Sequence, residues 1–216
     1  MGIKIAPPTL GETRPGSELT ERARRALLLR DSVEGLAFAR DALEDVEGER
    51  LDISQCRFTR CRIAPGRIKW LSFTDCVFEN CDFSGALLRS ASLWRVELRD
   101  CTAAGADFSE SSLQSVLFQD AMLRYANFSR AKFHPARFES CCLDGAAFYE
   151  AKPKALAFAG GSLAEAELGG MLLKGIDLRS TDIRGIRLTG GELKGAIVSP
   201  VQAMELARLL GVEIRE

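Results

Sequence analysis

The sequence predicts an all-β solenoid, and three observations carry that prediction. Every fifth residue from Val33 to Val198 is Val, Ile, Leu or Phe, and all 12 phenylalanines share this phase. The exceptions are Gly48, Ala103 and Pro153. The position two residues earlier favours small side chains, and helical patterns stand at both ends. Because a period of five fits neither helix nor flat strand, we expect the chain to turn a corner once per repeat and to bury its apolar face by stacking coils.

The N-terminal elements come before the repeat. Residues 1–16 are rich in proline and predict an extended tail. Residues 17–30 predict a capping helix with Ser17 as its N-cap, acidic residues in its first turn, and alanines and leucines behind them. The repeat then runs over residues 31–198 without an insertion. At Pro153, which replaces a large inward residue, we expect a local distortion but no projecting loop.

The repeat unit is the basis for a family resemblance. Its clearest copies are Ala106–Glu110, Ala126–Arg130, Cys81–Gly85 and Ile176–Ser180. These resemble the A(D/N)LXX unit of pentapeptide repeat proteins. The resemblance implies a right-handed quadrilateral β-helix with four units per coil, which gives about eight coils for a repeat of this length.

The C-terminal segment, residues 199–216, predicts a second helix. Ser199 is its expected N-cap, Pro200 its first residue and Gly211 its stop. The apolar face of this helix comprises Val201, Met204, Leu206, Leu209 and Leu210. The ending resembles the C-terminal module of the quinolone-resistance members of the family, and this resemblance implies a homodimer formed through these side chains.

Charge and composition limit the function classes. The formal net charge is −1, so the bulk balance favours neither nucleic acid nor a membrane surface. No stretch approaches the roughly 18 apolar residues of a membrane span, and the first residues lack the apolar run of a signal peptide. We therefore expect a cytoplasmic protein.

The cysteines and the single histidine predict no catalytic, cofactor or metal site. All but one of the seven cysteines follow the small inward phase: Cys56, Cys61, Cys76, Cys81, Cys101 and Cys141. We interpret them as core residues rather than zinc ligands. His134 follows an inward phenylalanine and should face outward, and no partner is placed to orient it. The prediction is that the protein is not an enzyme.

The outward phases supply the candidate partner-binding residues. Trp70, Trp94, Tyr125 and Tyr149 all fall on them, and exposed aromatic residues are enriched at interfaces. One wall of the solenoid is acidic early and basic late, with Glu192 as its one late acid. The partner-binding candidates are Trp70, Trp94, Arg95, Lys132, Lys152, Lys154 and Lys174, with Lys194 on the same basic half-wall.

The sequence predicts a non-catalytic scaffold for protein interactions. The family resemblance implies DNA gyrase or topoisomerase IV as the partner and protection from topoisomerase poisons, hence quinolone resistance. Gyrase-interacting relatives are thought to mimic DNA, but here no wall is a clean acidic stripe. The alternatives are binding of nucleic acid or of an acidic partner through the basic half-wall, and a structural scaffold with another partner. We expect a protein partner rather than direct nucleic-acid or membrane binding.

Overall fold

The computed structural model describes residues 3–209 and 211–215. Its helices are α1 (Leu19–Leu29) and α2 (Pro200–Leu209), with a 3-10 turn at Gly191–Leu193. The strands are β1 (Arg14–Pro15), β2 (Ser32–Glu34), β3 (Leu36–Ala39), β4 (Ala42–Glu44), β5 (Gly48–Ser54), β6 (Arg57–Thr59), β7 (Arg62–Ala64), β8 (Ile68–Glu79), β9 (Ser92–Arg99), β10 (Ser112–Gln119), β11 (Lys132–Phe133), β12 (Ala136–Glu139), β13 (Lys152–Pro153) and β14 (Leu156–Ala159). Every strand pair is parallel, as expected when each turn of a solenoid stacks on the turn before it.

The coils stack in a constant register of twenty residues. Ile53 in β5 pairs with Phe73 in β8, which pairs with Leu93 in β9, and Leu93 pairs with Leu113 in β10. A twenty-residue turn contains four five-residue units, so the predicted fold is confirmed. The solenoid has about 7 turns, close to the eight implied by the family resemblance.

The interior is filled by the five-residue apolar phase. The phenylalanines of successive coils lie over one another: the rings of Phe38 and Phe58 are 5.5 Å apart and those of Phe58 and Phe78 are 4.6 Å apart, nearly parallel in both cases. Such stacked pairs add about 0.5–1.5 kcal/mol each to the burial of their surface. The six cysteines of the small inward phase are buried beside them, as predicted.

The corners recur at the fifth residue of each unit, where the backbone adopts a positive φ. Several of these residues are not glycine, including Gln55, Asp75 and Asp100. The left-handed conformation costs about 1–2 kcal/mol for such residues. Hydrogen bonds between coils offset this cost, as where the Asp100 N–H donates to the Gln119 carbonyl at 3.0 Å. At Gly161, the residue after the corner at Gly160, a Cβ atom would collide with the Cys141 backbone, so only glycine fits.

Regular strands give way to turns toward the C-terminus. β8 runs for 12 residues around a corner, whereas beyond β14 the described coils pair through isolated bridges such as Ser162 to Asp182. Pro153 ends the ladder on its wall because it has no N–H to donate to the next coil. The expected distortion at Pro153 is thus a loss of pairing: β13 keeps its register with β11, and no loop projects.

Helix α1 closes the N-terminal end of the solenoid by burying Leu19, Ala23 and Ala26. The prediction of Ser17 as N-cap is wrong. Glu18 occupies the cap position without a side-chain bond. The Leu19 N–H instead donates to Asp41 Oδ2 at 3.2 Å, because the first coil brings a carboxylate to the helix end.

The segment before α1 is extended and lies against the coils. β1 pairs with β3, and the Gly16 N–H donates to the Ala37 carbonyl at 2.8 Å. Further toward the N-terminus, the Thr9 N–H donates to Asp75 Oδ1 at 2.8 Å. The part of the tail before β1 therefore crosses the corners of successive coils, from Gln55 beside Gly11 to Asp75 beside Thr9.

Helix α2 closes the opposite end through a capping box. Ser199 Oγ accepts from the Gln202 N–H at 3.3 Å, and Gln202 Oε1 accepts from the Ser199 N–H at 2.9 Å. This reciprocal pair confirms Ser199 as the N-cap. The Gln202 Nε2 group then donates to the carbonyls of Leu178 and Thr181 at 2.8 and 2.9 Å. Gly211 adopts φ 77 after the helix, as a stop residue should.

Candidate interaction surfaces

The basic half-wall is a coherent surface of exposed ammonium groups, which we call the lysine wall: Lys132, Lys152, Lys154, Lys174 and Lys194. Lys132 and Lys152 are register partners on β11 and β13. The twenty-residue register, kept on a neighbouring wall by the Ser162–Asp182 bridge, places Lys174 one coil beyond Lys154. All five side chains are exposed, and none forms an ion pair within residues 3–209 and 211–215.

On the other walls, many arginines pair with carboxylates of an adjacent coil or with a carboxylate two residues away. Arg62 reaches Asp82 at 2.7 Å, and Arg187 reaches Glu167 at 3.1 Å. Arg179 pairs with Asp177, two residues away, at 2.7 Å. Each such exposed pair adds only about 0–1 kcal/mol of stability. Their consequence is local neutrality, which contrasts with the lysine wall.

The one late acid of the basic wall is withdrawn from the surface. Glu192 is only 4% exposed. Its carboxylate accepts from the Gly170 N–H at 2.9 Å and from the Thr189 N–H and hydroxyl. Burial alone would raise the pKa of Glu192, but these hydrogen bonds to the charged form lower it to about 2. Glu192 therefore stays ionised, and its carboxylate is hydrogen-bonded at the end of the solenoid instead of pairing with the lysines.

His134 lies half-buried among the lysines. Burial and then the charges of Lys154 and Lys132 lower the pKa of the imidazole from its ordinary value. Both lysines thus lie near enough to the His134 imidazole to disfavour its protonation, which is the effect of a positive electrostatic potential on this face.

Arg95 was predicted to bind a partner, but the structure places it in an internal network. Its guanidinium makes two hydrogen bonds to the Asp75 carboxylate, both at 2.5 Å, and the Asp75 side chain is only 6% exposed. The Arg95 hydrogen bonds lower the pKa of Asp75. The same guanidinium lies 3.8 Å from the centre of the Trp94 ring. Asp75 thus neutralises the charge of Arg95, and the Trp94 ring packs against the Arg95 guanidinium.

The four outward aromatic side chains are exposed, as predicted, but lie apart. Trp70 carries the Lys69 ammonium 4.0 Å over its ring and lines an open groove of about 1530 Å³ beside Leu27 and Leu28 of α1. The Tyr125 ring covers Gly145 of the next coil. The structure therefore does not bring Trp70 together with the lysines, while Trp94 shares their wall two coils before His134.

The predicted dimerisation residues divide into two groups. Val201, Met204 and Leu209 are exposed by 62%, 46% and 50%. Leu206 is only 6% exposed, because it packs with the core at the last coils. It therefore belongs to the cap and not to a dimer surface. Leu210 lies outside the described residues.

The buried cysteines form columns along the solenoid. The Cys61 N–H approaches Cys81 Sγ at 3.4 Å in the next coil. Burial raises the pKa of the Cys141 thiol to about 12 and that of Cys56 to about 11, so both stay protonated at neutral pH. No cluster of three His, Cys, Asp or Glu side chains suits a metal ion in the described part of the chain.

Sequence reasoning missed three residues that the structure makes important. Gln202 could have been found, because Ser199 and Gln202 have the spacing of a capping box. The Asp75–Arg95 pair could have been found, because the two residues lie twenty apart and are register neighbours, whereas the hydrogen bond from Thr9 to Asp75 carried no local signal. Leu172 is a large apolar residue on an outward phase, so the inward pattern gave it no role. It is 66% exposed, beside the lysines.

Residues 71–148 match the family model described as a pentapeptide repeat region. These residues form a pentapeptide repeat region. The same twenty-residue register continues on both sides of the matched segment, from β2 to the bridge between Asp177 and Ile197. The predicted resemblance to pentapeptide repeat proteins is therefore confirmed for residues 71–148. Among the described residues, no helix is long and apolar enough to cross a membrane.

Several solved structures are similar to the chain at low identity. A trypsin-treated form of QnrB1, a plasmid-mediated fluoroquinolone resistance protein, is 23% identical over 86% of this chain and 90% of that one, with a TM-score of 0.39. HetL, a pentapeptide repeat protein involved in heterocyst differentiation regulation in the cyanobacterium Nostoc, is 17% identical over 77% and 89%, with a TM-score of 0.34. No curated protein matches the sequence. At these identities and scores, the likenesses carry no argument about function.

Proposed function

We propose that the protein is a cytoplasmic, non-catalytic scaffold for protein interactions that forms a homodimer through its C-terminal end. One observation supports the dimer most directly. Val201, Met204 and Leu209 stay exposed although Leu206 and Gln202 have already closed the solenoid. Val212 and Ile214, which follow the helix, are exposed by 52% and 43%. An apolar face beyond what the cap needs is typical of an interface between subunits.

The mass of the full chain in solution tests the dimer. We expect the wild-type protein to sediment as a dimer at micromolar concentration and the double variant V201E/M204E to sediment as a monomer. Leu28→Glu is the matched control, because Leu28 is 84% exposed at the opposite end. A monomeric wild-type protein, or equal dissociation in the control, would refute the C-terminal dimer.

As the specific partner we propose DNA gyrase or topoisomerase IV, which the protein would protect from quinolones. The support is the resemblance of the repeat unit and of the C-terminal module to the quinolone-resistance members. We do not propose mimicry of DNA, because many carboxylates outside the lysine wall are already paired with arginines, as in the Arg62–Asp82 and Arg187–Glu167 pairs.

A gyrase supercoiling assay with a quinolone tests this partner. Added protein should restore supercoiling at a quinolone concentration that otherwise blocks it, and the monomeric V201E/M204E variant should restore less. If the protein neither protects nor inhibits the enzyme at micromolar concentration, gyrase is not the partner. That result would leave the proposed dimer untouched, because sedimentation tests the dimer independently of gyrase.

A further inference from the structure

The lysine wall groups five like charges on one face, and none of them forms an ion pair among the described residues. Ion pairs between coils neutralise some arginines elsewhere, such as Arg62 and Arg187, and the Glu192 carboxylate is hydrogen-bonded to Gly170 and Thr189 instead of to the lysines. Like charges held together on one face repel each other, and they have no partner within the described chain. A partner that supplies carboxylates or phosphates would remove this repulsion and gain the attraction.

An apolar side chain at the centre favours protein over nucleic acid. Leu172 is 66% exposed, one coil beyond Lys152 and two residues before Lys174. An apolar centre within a charged rim is typical of protein–protein interfaces. Single-stranded nucleic acid instead stacks its bases on aromatic rings. The tryptophan of this wall, Trp94, lies two coils before His134, and the Arg95 guanidinium covers its ring.

The spacing of the ammonium groups suits a helix that carries carboxylates. Neighbouring coils are about 4.8 Å apart, and alternate residues along a strand are about 6.6 Å apart. Side chains at i and i+4 on a helix lie about 5–6 Å apart. We propose that the lysine wall docks an acidic helical segment of a partner protein, with carboxylates on the five lysines and an apolar side chain against Leu172.

This surface is separate from the C-terminal face that we propose for the dimer. The lysines lie along a wall of the repeat, whereas Val201 and Met204 belong to α2. Loss of acidic-partner binding would therefore leave the dimer intact, and loss of the dimer would leave the wall in place.

Fluorescence anisotropy with the full chain tests the proposal. The probe is a labelled helical peptide of about 18 residues, built from Glu and Ala with one central Leu. We expect K152E/K154E/K174E to weaken binding by at least about tenfold at low salt. The matched control R40E/R60E/R67E changes the net charge equally at exposed arginines outside the ion pairs of the described chain, and it should change binding less than about twofold.

The central leucine gives a second readout. Replacing Leu by Ser in the peptide, or Leu172→Ser in the protein, should weaken binding several-fold at about 0.3 M salt, where screening leaves the apolar contact prominent. Circular dichroism melts verify that each variant is folded. The proposal is overturned if the peptide does not bind or if both triple variants lose peptide affinity equally. It is also overturned if a single-stranded DNA of about 20 nucleotides binds more tightly than the peptide.

Discussion

The two ends of the solenoid face the same physical problem and solve it differently. At the N-terminal end, α1 covers the first coil with Leu19, Ala23 and Ala26, and the tail before it adds one more strand, β1. At the C-terminal end, α2 covers the last coil with Leu206, while the amide of Gln202 is hydrogen-bonded to two backbone carbonyls. One end is closed mainly by apolar contact, and the other is closed largely by hydrogen bonds.

The difference follows from the backbone at each end. The first coils are regular strands, so β1 can satisfy their edge by ordinary pairing. The last coils are turns and isolated bridges, which leave the carbonyls of Leu178 and Thr181 facing the cap. An unpaired buried carbonyl costs about 1–3 kcal/mol, so a polar side chain is required there. Buried Glu192 gives the same end a dependence on pH.

The largest effect should come from the apolar end. Leu19→Ala removes a fully buried side chain, and we expect the free energy of unfolding to fall by about 2–5 kcal/mol. Urea denaturation followed by circular dichroism measures it. Leu28→Ala, at a position 84% exposed in the same helix, should change it by less than about 0.5 kcal/mol. Equal effects of the two variants would mean that α1 does not cap through its buried face.

The second effect should appear in acid and only at the C-terminal end. The pKa of Glu192 is about 2 in the folded protein, against 4.5 as the ordinary value. Its stabilisation is therefore complete above about pH 4.5 and is lost as pH falls toward 2. Because a shift of one pKa unit corresponds to about 1.36 kcal/mol, the loss in the free energy of unfolding is on the order of 3 kcal/mol.

Urea titrations from pH 7 to about pH 2.5 measure this loss. Because other carboxylates also titrate, the informative quantity is the difference in stability between wild type and Glu192→Gln, which should shrink as pH falls. Glu165→Gln, at an exposed corner, serves as the control and should give a difference that does not vary in this way. A constant difference for Glu192→Gln would contradict the assigned role of its carboxylate.

The smallest of the three effects concerns Gln202. Gln202→Ala removes the side-chain donor to the Thr181 carbonyl and one of the two donors to the Leu178 carbonyl, which also accepts from the Thr181 N–H, and we expect a loss of about 1–3 kcal/mol. Amide hydrogen exchange should accelerate in the last coils, at Thr181 and Ile197, before it does so near β9. Gln114→Ala, at an exposed wall position, is the control. Exchange rates unchanged at Thr181 and Ile197 would show that Gln202 does not hold this end.

Much of the fold and part of the surface follow from local pattern. The fifth-residue phase predicted the inward phenylalanines and cysteines, and the spacing of the lysines predicted that they share a wall. The Ser17 cap was wrong, and the surroundings of Arg95 and Leu206 were not foreseen, for a common reason. Each was judged from its own segment, but its state depends on a distant group: Asp41 at the helix start, Asp75 at the guanidinium, and the last coils beneath α2.

The sequence by itself determined the period, the direction of each side chain and the presence of a helix at each end, because a regular repeat converts position in the chain directly into position in the solenoid. Only the tertiary structure decided which charges are free. Arg95 and Lys154 are both basic and both outward in the pattern, yet a carboxylate neutralises the first and none in the described chain reaches the second. The register places Arg95 beside Asp75 on adjacent coils, but whether the two side chains meet depends on distances of a few ångströms, which the repeat alone does not specify.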